Sequence, residues 1–149
     1  MGKGQMIEHV IIQELTQIPD ERGRVMHMIR ADNPLFKKFG EIYFSEVLPG
    51  VVKAWKRHKE MTQILAVPVG MIKLVIYDDP GKSKSKGNLK VLEIGRDNYK
   101  LVKIPPNLWY GFKCISEHPA LLANCADLPH DQNEAESRDP NDSYIPYQW

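Results

Sequence analysis

Short alternating runs of apolar and polar residues recur from one end of this chain to the other, and none holds a helical period. Residues 71–77 are the clearest. Ile72, Leu74 and Ile76 fall on one face of an extended chain, and Lys73, Val75 and Tyr77 on the other. Similar runs cover residues 9–15, 24–29, 39–47, 51–59, 63–67, 89–94, 99–104, 109–115 and 120–124. Turn formers separate them: Pro19 to Gly23, Pro49-Gly50, Pro68 to Gly70 and Gly95 to Asn98. The last of these predicts a hairpin between residues 89–94 and 99–104. Pro105 and Pro106 exclude the centre of a sheet, because neither can donate to a ladder. Asp32-Asn33-Pro34 predicts a single helical turn within residues 31–38. Strands at such regular spacing predict an all-β sandwich or barrel.

Size and charge narrow the rest. The 149 residues suit one domain, spanning 1–149, with a core that needs no staples. A net charge of +1 gives no global drive toward nucleic acid or membrane. No apolar run has the length of a membrane span or of a secretory signal, so the expectation is a cytoplasmic protein without membrane or nucleic-acid partners. Cys114 and Cys125 lie in apolar surroundings and read as buried thiols. The lysine-rich loop of residues 78–88 reads as a mobile hairpin tip. Residues 127–143 are polar and turn-rich. The aromatic end, Tyr144 to Trp149, is expected to dock back onto the sheets.

The chemistry concentrates in Val51-Val52-Lys53-Ala54-Trp55-Lys56-Arg57-His58-Lys59. Strand alternation places Ala54, Lys56 and His58 on one face and Lys53, Trp55, Arg57 and Lys59 on the other. Such a face suits an acid/base site in a barrel mouth, and equally a solvated edge. Hydrolase and phosphate-loop motifs are absent. One imidazole on this strand, with Tyr110 where a later histidine would be needed, does not make a metal site. No metal and no cofactor are therefore expected. Lysine, arginine and histidine together can hold a diphosphate, and Trp and Tyr can stack on a base or sugar. Histidine titrates near neutrality and can move a proton α to a ketone. These are the needs of an enzyme acting on a nucleotide-linked keto sugar.

Four segments, in order, resemble one family. They are Asp20-Glu21-Arg22-Gly23 (D-x-R-G), Gly50-Val51-Val52-Lys53-Ala54-Trp55-Lys56 (G-V-L-R-G-L-H), residues 104–112 (I-P-P-G-F-A-H-G-F) and the tail ending in Trp149. The chain resembles the cupin-fold nucleotide-sugar epimerases and ketoisomerases, the group containing dTDP-4-dehydrorhamnose 3,5-epimerase. The double epimerases' base is replaced by Lys56, their lysine by Gln63, their tyrosine acid by Ala123 and their late histidine by Tyr110. The ketoisomerase pattern R-G-x-H-A-H-K fits better. His58 matches its second histidine, and Tyr43 stands on the neighbouring strand, where that branch carries a tyrosine.

The resemblance implies a jelly-roll barrel that isomerises or epimerises a nucleoside-diphosphate 4-keto-6-deoxysugar for polysaccharide or related glycan synthesis. His58 is then the expected base, and Lys56 stabilises the enolate. Tyr43 or Tyr110 returns a proton. Arg22, Lys53 and Arg57 are candidates for the diphosphate, and Gln63 and Trp109 are further substrate contacts. The resemblance also implies a homodimer whose exchanged N-terminal strand carries Arg22 to the neighbour's nucleotide. The alternative is a sugar-nucleotide-binding or regulatory cupin that has lost the chemistry.

Overall fold

The computed structural model describes residues 6–79 and 87–149, with the backbone alone for residues 3–4. The tip of the lysine-rich loop, residues 80–86, lies outside the described residues. Thirteen strands are described, all in antiparallel ladders. One six-stranded sheet runs in the order β1 (Lys3–Gly4), β9 (Leu89–Gly95), β8 (Met71–Tyr77), β11 (Trp109–Cys114), β6 (Val52–His58), β13 (Ala135–Ser137). A five-stranded sheet runs β2 (Ile11–Glu14), β10 (Lys100–Ile104), β7 (Gln63–Val69), β12 (Ala120–Ala126), β5 (Glu41–Val47). β3 (Gln17–Asp20) and β4 (Gly23–Met26) form a separate hairpin. The all-β expectation holds, and the architecture is a jelly roll of two facing sheets rather than a closed barrel.

Alternation sorts the apolar residues into three layers. Ile72, Leu74 and Ile76 share a central core with Leu65, Val67, Leu92, Ile94, Tyr110, Phe112 and Leu122. Outside the six-stranded sheet, Trp55, Val75, Tyr77, Trp109 and Ile145 form a second cluster, with Tyr147 and Trp149 against it. The aromatic end therefore docks as expected. Outside the five-stranded sheet, Ile64, Leu101 and Cys125 are covered by Met28, Ile29, Leu35 and Phe36. Both cysteines are buried free thiols.

Two local expectations fail for identifiable reasons. Residues 31–38 form turns, not a helical turn. The Asn33 side chain accepts the Leu35 N–H at 2.9 Å, a local bond that competes with helical pairing. β9 and β10 are not a hairpin. β9 pairs with β8 and β10 with β7, so the Gly95–Asn98 turn carries the chain from one sheet to the other. Both flanking strands bury an apolar face in the core, and crossing between sheets is what allows both to do so. Among the described residues no helix is long and apolar enough to cross a membrane.

Candidate active site

β6 departs from simple alternation at its centre. Tyr110 pairs with Lys56 but Gly111 pairs with Ala54, so Trp55 is an extra residue opposite the β11 ladder. Such a bulge reverses the facing of everything on one side of it. After the bulge Lys56 and His58 point inward and Arg57 outward. Before it, Lys53 pairs with the core residue Phe112 and also points inward. The expected separation of Lys53 from Lys56 is thereby corrected. Both line one cavity, and Ala54 and the buried Trp55 between them border it too while packing against the outer cluster.

That cavity measures about 290 Å³ and lies between the sheets. Lys53, Lys56 and Tyr110 border it from the six-stranded sheet. Tyr43, Ser45, Gln63 and Asn124 border it from the other, with Leu65, Phe112 and Leu122 as apolar wall. Tyr43 is thus across the cavity from β6, on the edge strand β5, and not on a neighbouring strand as expected. Lys53 Nζ donates to Ser45 Oγ at 3.0 Å and to the Glu46 carbonyl at 2.6 Å.

A polar chain crosses the cavity. Asn124 Nδ2 donates to the Tyr43 hydroxyl at 2.8 Å and to Gln63 Oε1 at 2.9 Å. Gln63 shares the cavity wall with Tyr110 and opposes the rise in that phenol's affinity for its proton. Burial pushes both phenols above the ordinary tyrosine range, and the nearby amides only partly oppose it. Asn124 is buried, and its Oδ1 has no partner among the described residues.

His58 sits behind this wall, with its ring 6.0 Å from that of Tyr110 and nearly parallel to it. Its Nδ1 lies 2.6 Å from Glu134 Oε1, while its Nε2 is enclosed without a protein partner among the described residues. Glu134 comes from a short 3-10 turn (Gln132–Glu134) just before β13, which pairs along β6. Its other oxygen accepts the N–H groups of Glu60 and Met61 at 2.9 and 2.8 Å. Burial alone would raise the carboxyl. The Glu60 N–H, the His58 ring and the Met61 N–H outweigh burial and hold it below the usual glutamate value. The ionised carboxylate fixes His58 as the Nδ1–H tautomer, leaving Nε2 as the basic nitrogen.

The remaining expected site residues lie elsewhere. Arg57 is on the outer face, 4.8 Å above the Trp109 ring, and paired with Asp79 and Glu136 at 3.0 and 2.9 Å. Trp109 is buried in the outer cluster. Arg22 is exposed at the β3–β4 tip, where it pairs with Asp20 at 2.7 Å. The structure thus brings Lys53, Lys56, Tyr43, Tyr110 and Gln63 together, sets His58 behind Tyr110, and leaves Arg22, Arg57 and Trp109 outside. Sequence reasoning missed Glu134 and Asn124. Glu134 sat in a tail read only as polar and turn-rich, and Asn124 in a strand next to the position where the family's acid had been replaced.

No family model matches the chain. Whole-chain relatives do. A dTDP sugar isomerase from Desulfovibrio desulfuricans G20 is 53% identical, with a TM-score of 0.93 over 96% of this chain and 92% of its own. The probable low-salt glycan biosynthesis epimerase Agl13 of Haloferax volcanii is 36% identical over 95% of this chain and 88% of its own length. The chain belongs to the cupin-fold nucleotide-sugar epimerases. The spore coat polysaccharide biosynthesis protein SpsL of Bacillus subtilis, 30% identical over 97% of both chains, is a further relative of this epimerase. Within this epimerase family the cavity between the sheets is the candidate active site.

Proposed function

We propose that this epimerase isomerises or epimerises a nucleoside-diphosphate 4-keto-6-deoxysugar used to make polysaccharide or glycan precursors. One observation carries the reading: two lysines, two phenols and two amides converge on a single cavity between the sheets. At about 290 Å³ it is at the small end for ligand sites, suiting the sugar ring rather than a whole nucleotide. The sugar enters with its ketone toward Lys56, whose ammonium stabilises the enolate oxygen. His58 Nε2 takes the proton α to the ketone, with Glu134 stabilising the imidazolium. Tyr43 or Tyr110 returns a proton. Lys53 meets the diphosphate at the mouth.

Arg57 and Trp109 face away from the cavity, so the rest of the nucleotide is assigned to Arg22 of a second copy. A homodimer exchanging its N-terminal strands supplies that residue. Support comes from the β3–β4 hairpin, which belongs to neither sheet and exposes Ile18 and Val25. The buried free thiols support a reducing, cytoplasmic setting.

A second reading is favoured by the enclosure of His58 Nε2. In it the His58–Glu134 pair only props Tyr110, and the proton is taken by a group already lining the cavity, Lys56 or Tyr43. Incubation with 4-keto nucleotide sugars in deuterated water, read by NMR, separates the two. With His58 as base, His58→Asn abolishes exchange at the carbon beside the ketone and leaves dTDP binding within about tenfold, or 1.4 kcal/mol. Exchange slowed only about tenfold in His58→Asn selects the second reading. If the unaltered protein exchanges no proton in any 4-keto sugar nucleotide, the enzymatic reading fails. A binding cupin remains in that case if calorimetry still detects dTDP, UDP, GDP or CDP.

A further inference from the structure

We propose that Asn124 and Gln63 are positioning residues, a buried amide pair that turns the cavity phenol of Tyr43 into a proton donor toward the substrate. The proposal rests on the keto-sugar reading above and adds to it the device that orients the acid. Asn124 is 1% exposed and Gln63 2%, and their side chains meet at 2.9 Å across the β7–β12 ladder. A primary amide donates from nitrogen and accepts at oxygen. Asn124 spends both its N–H groups, one on Gln63 Oε1 and one on the Tyr43 oxygen. Gln63 has its oxygen occupied by this bond, which fixes which way both amides face. The Tyr43 oxygen therefore accepts from an amide, so its own proton is not needed to satisfy the pair. Tyr43 lines the cavity, where that proton is available to a ligand.

The chemistry balances. An enolate carbon uses its electron pair to take the Tyr43 proton. The O–H bond breaks, a C–H bond forms and the ketone is restored. The charge passes to the Tyr43 oxygen, where the Asn124 N–H stabilises it until water returns a proton. Were both amides reversed, the Tyr43 proton would be tied to the Asn124 oxygen, and the pair would serve packing alone.

The two arrangements predict different behaviour for Asn124→Asp. The new carboxylate is nearly the same size but accepts only, so it captures the Tyr43 proton and reverses the chain through Gln63. Proton abstraction is untouched, whereas proton return from the opposite face is lost. In deuterated water the ratio of exchange to inverted or isomerised product should rise at least tenfold, with the melting temperature as the check on folding. Tyr43→Phe should raise the same ratio, and the double variant should go no further, since both changes remove one device. Asn124→Leu, which keeps the volume and lacks the donor, and Gln63→Glu, which reverses the pair from its other end, serve if the aspartate variant does not fold. An unchanged ratio, or shifts that add in the double variant, overturns the amide pair while leaving the keto-sugar reading standing. Absence of exchange in the unaltered protein overturns both.

Discussion

At the scale of single residues, Glu134 carries the most consequence for its size. It closes the His58 ring and two successive backbone N–H groups with one carboxylate, and it stays ionised below the ordinary glutamate range. A carboxyl whose value is lower in the folded than in the unfolded chain stabilises the fold above the unfolded value, about 4.3. That contribution is lost as pH falls through the folded value. Thermal melts of the unaltered protein should therefore drop more steeply below about pH 4 than those of Glu134→Gln. At neutral pH the glutamine should cost about 2 kcal/mol, because an amide cannot match a carboxylate accepting three donors. Equal acid slopes in the two proteins would count against the ionised pair. Nothing near Glu134 in the sequence marks it, since its partners are 73 to 76 positions away.

At the scale of elements, the β6–β11 pair decides the site. The bulge at Trp55 brings Lys53 and Lys56 to one face, and the close pairing of Ala54 with Gly111 continues the ladder beyond it. A Cβ on Gly111 would collide with that of Ala54 and lie 3.0 Å from the Trp149 ring. Gly111→Ala is expected to destabilise the protein by about 1–3 kcal/mol through overpacking, read by denaturant melts. It should also weaken nucleotide-sugar binding, since the strand carrying both lysines must shift; an alanine variant with unchanged stability and binding would show that the ladder has slack. The basic stretch was legible as a strand from its own residues. Which of its side chains share a face was not, because the bulge is a property of the pairing with β11. The β9–β10 turn is a similar case: its residues specify a tight reversal, and only the demand of two apolar faces for one core sends the strands to different sheets.

At the scale of the molecule, the outer surfaces differ in finish. The six-stranded sheet is covered by the chain's own aromatic end, with Lys73 5.3 Å from the Tyr147 ring and 5.7 Å from that of Trp149. The hairpin and the edge strand β5 are less covered: Ile18, Val25, Ile42 and Phe44 are all more than half exposed. Exposed apolar side chains of this kind are what an interface between copies uses. Sedimentation should find a dimer, and Ile18→Asp with Val25→Asp should yield a monomer. The monomer should retain its fold by circular dichroism and bind dTDP about tenfold more weakly, through loss of Arg22 from the neighbouring site. Tight binding by the monomer would remove Arg22 from the nucleotide contacts.

The docking of the aromatic end followed from its three large rings, and the alternation of side chains by itself determined the all-β class and most strand positions. It could do so because period-two patterning and turn chemistry are local, and burial selects them wherever they occur. The family resemblance also lay in the sequence, in four short segments. Only the tertiary structure decided that Lys53 and Lys56 share a cavity, that Tyr43 faces them from the opposite sheet, and that His58 is held by Glu134. Each of these depends on register across sheets or on contacts between distant segments, and such pairings are set by the packing of the whole core.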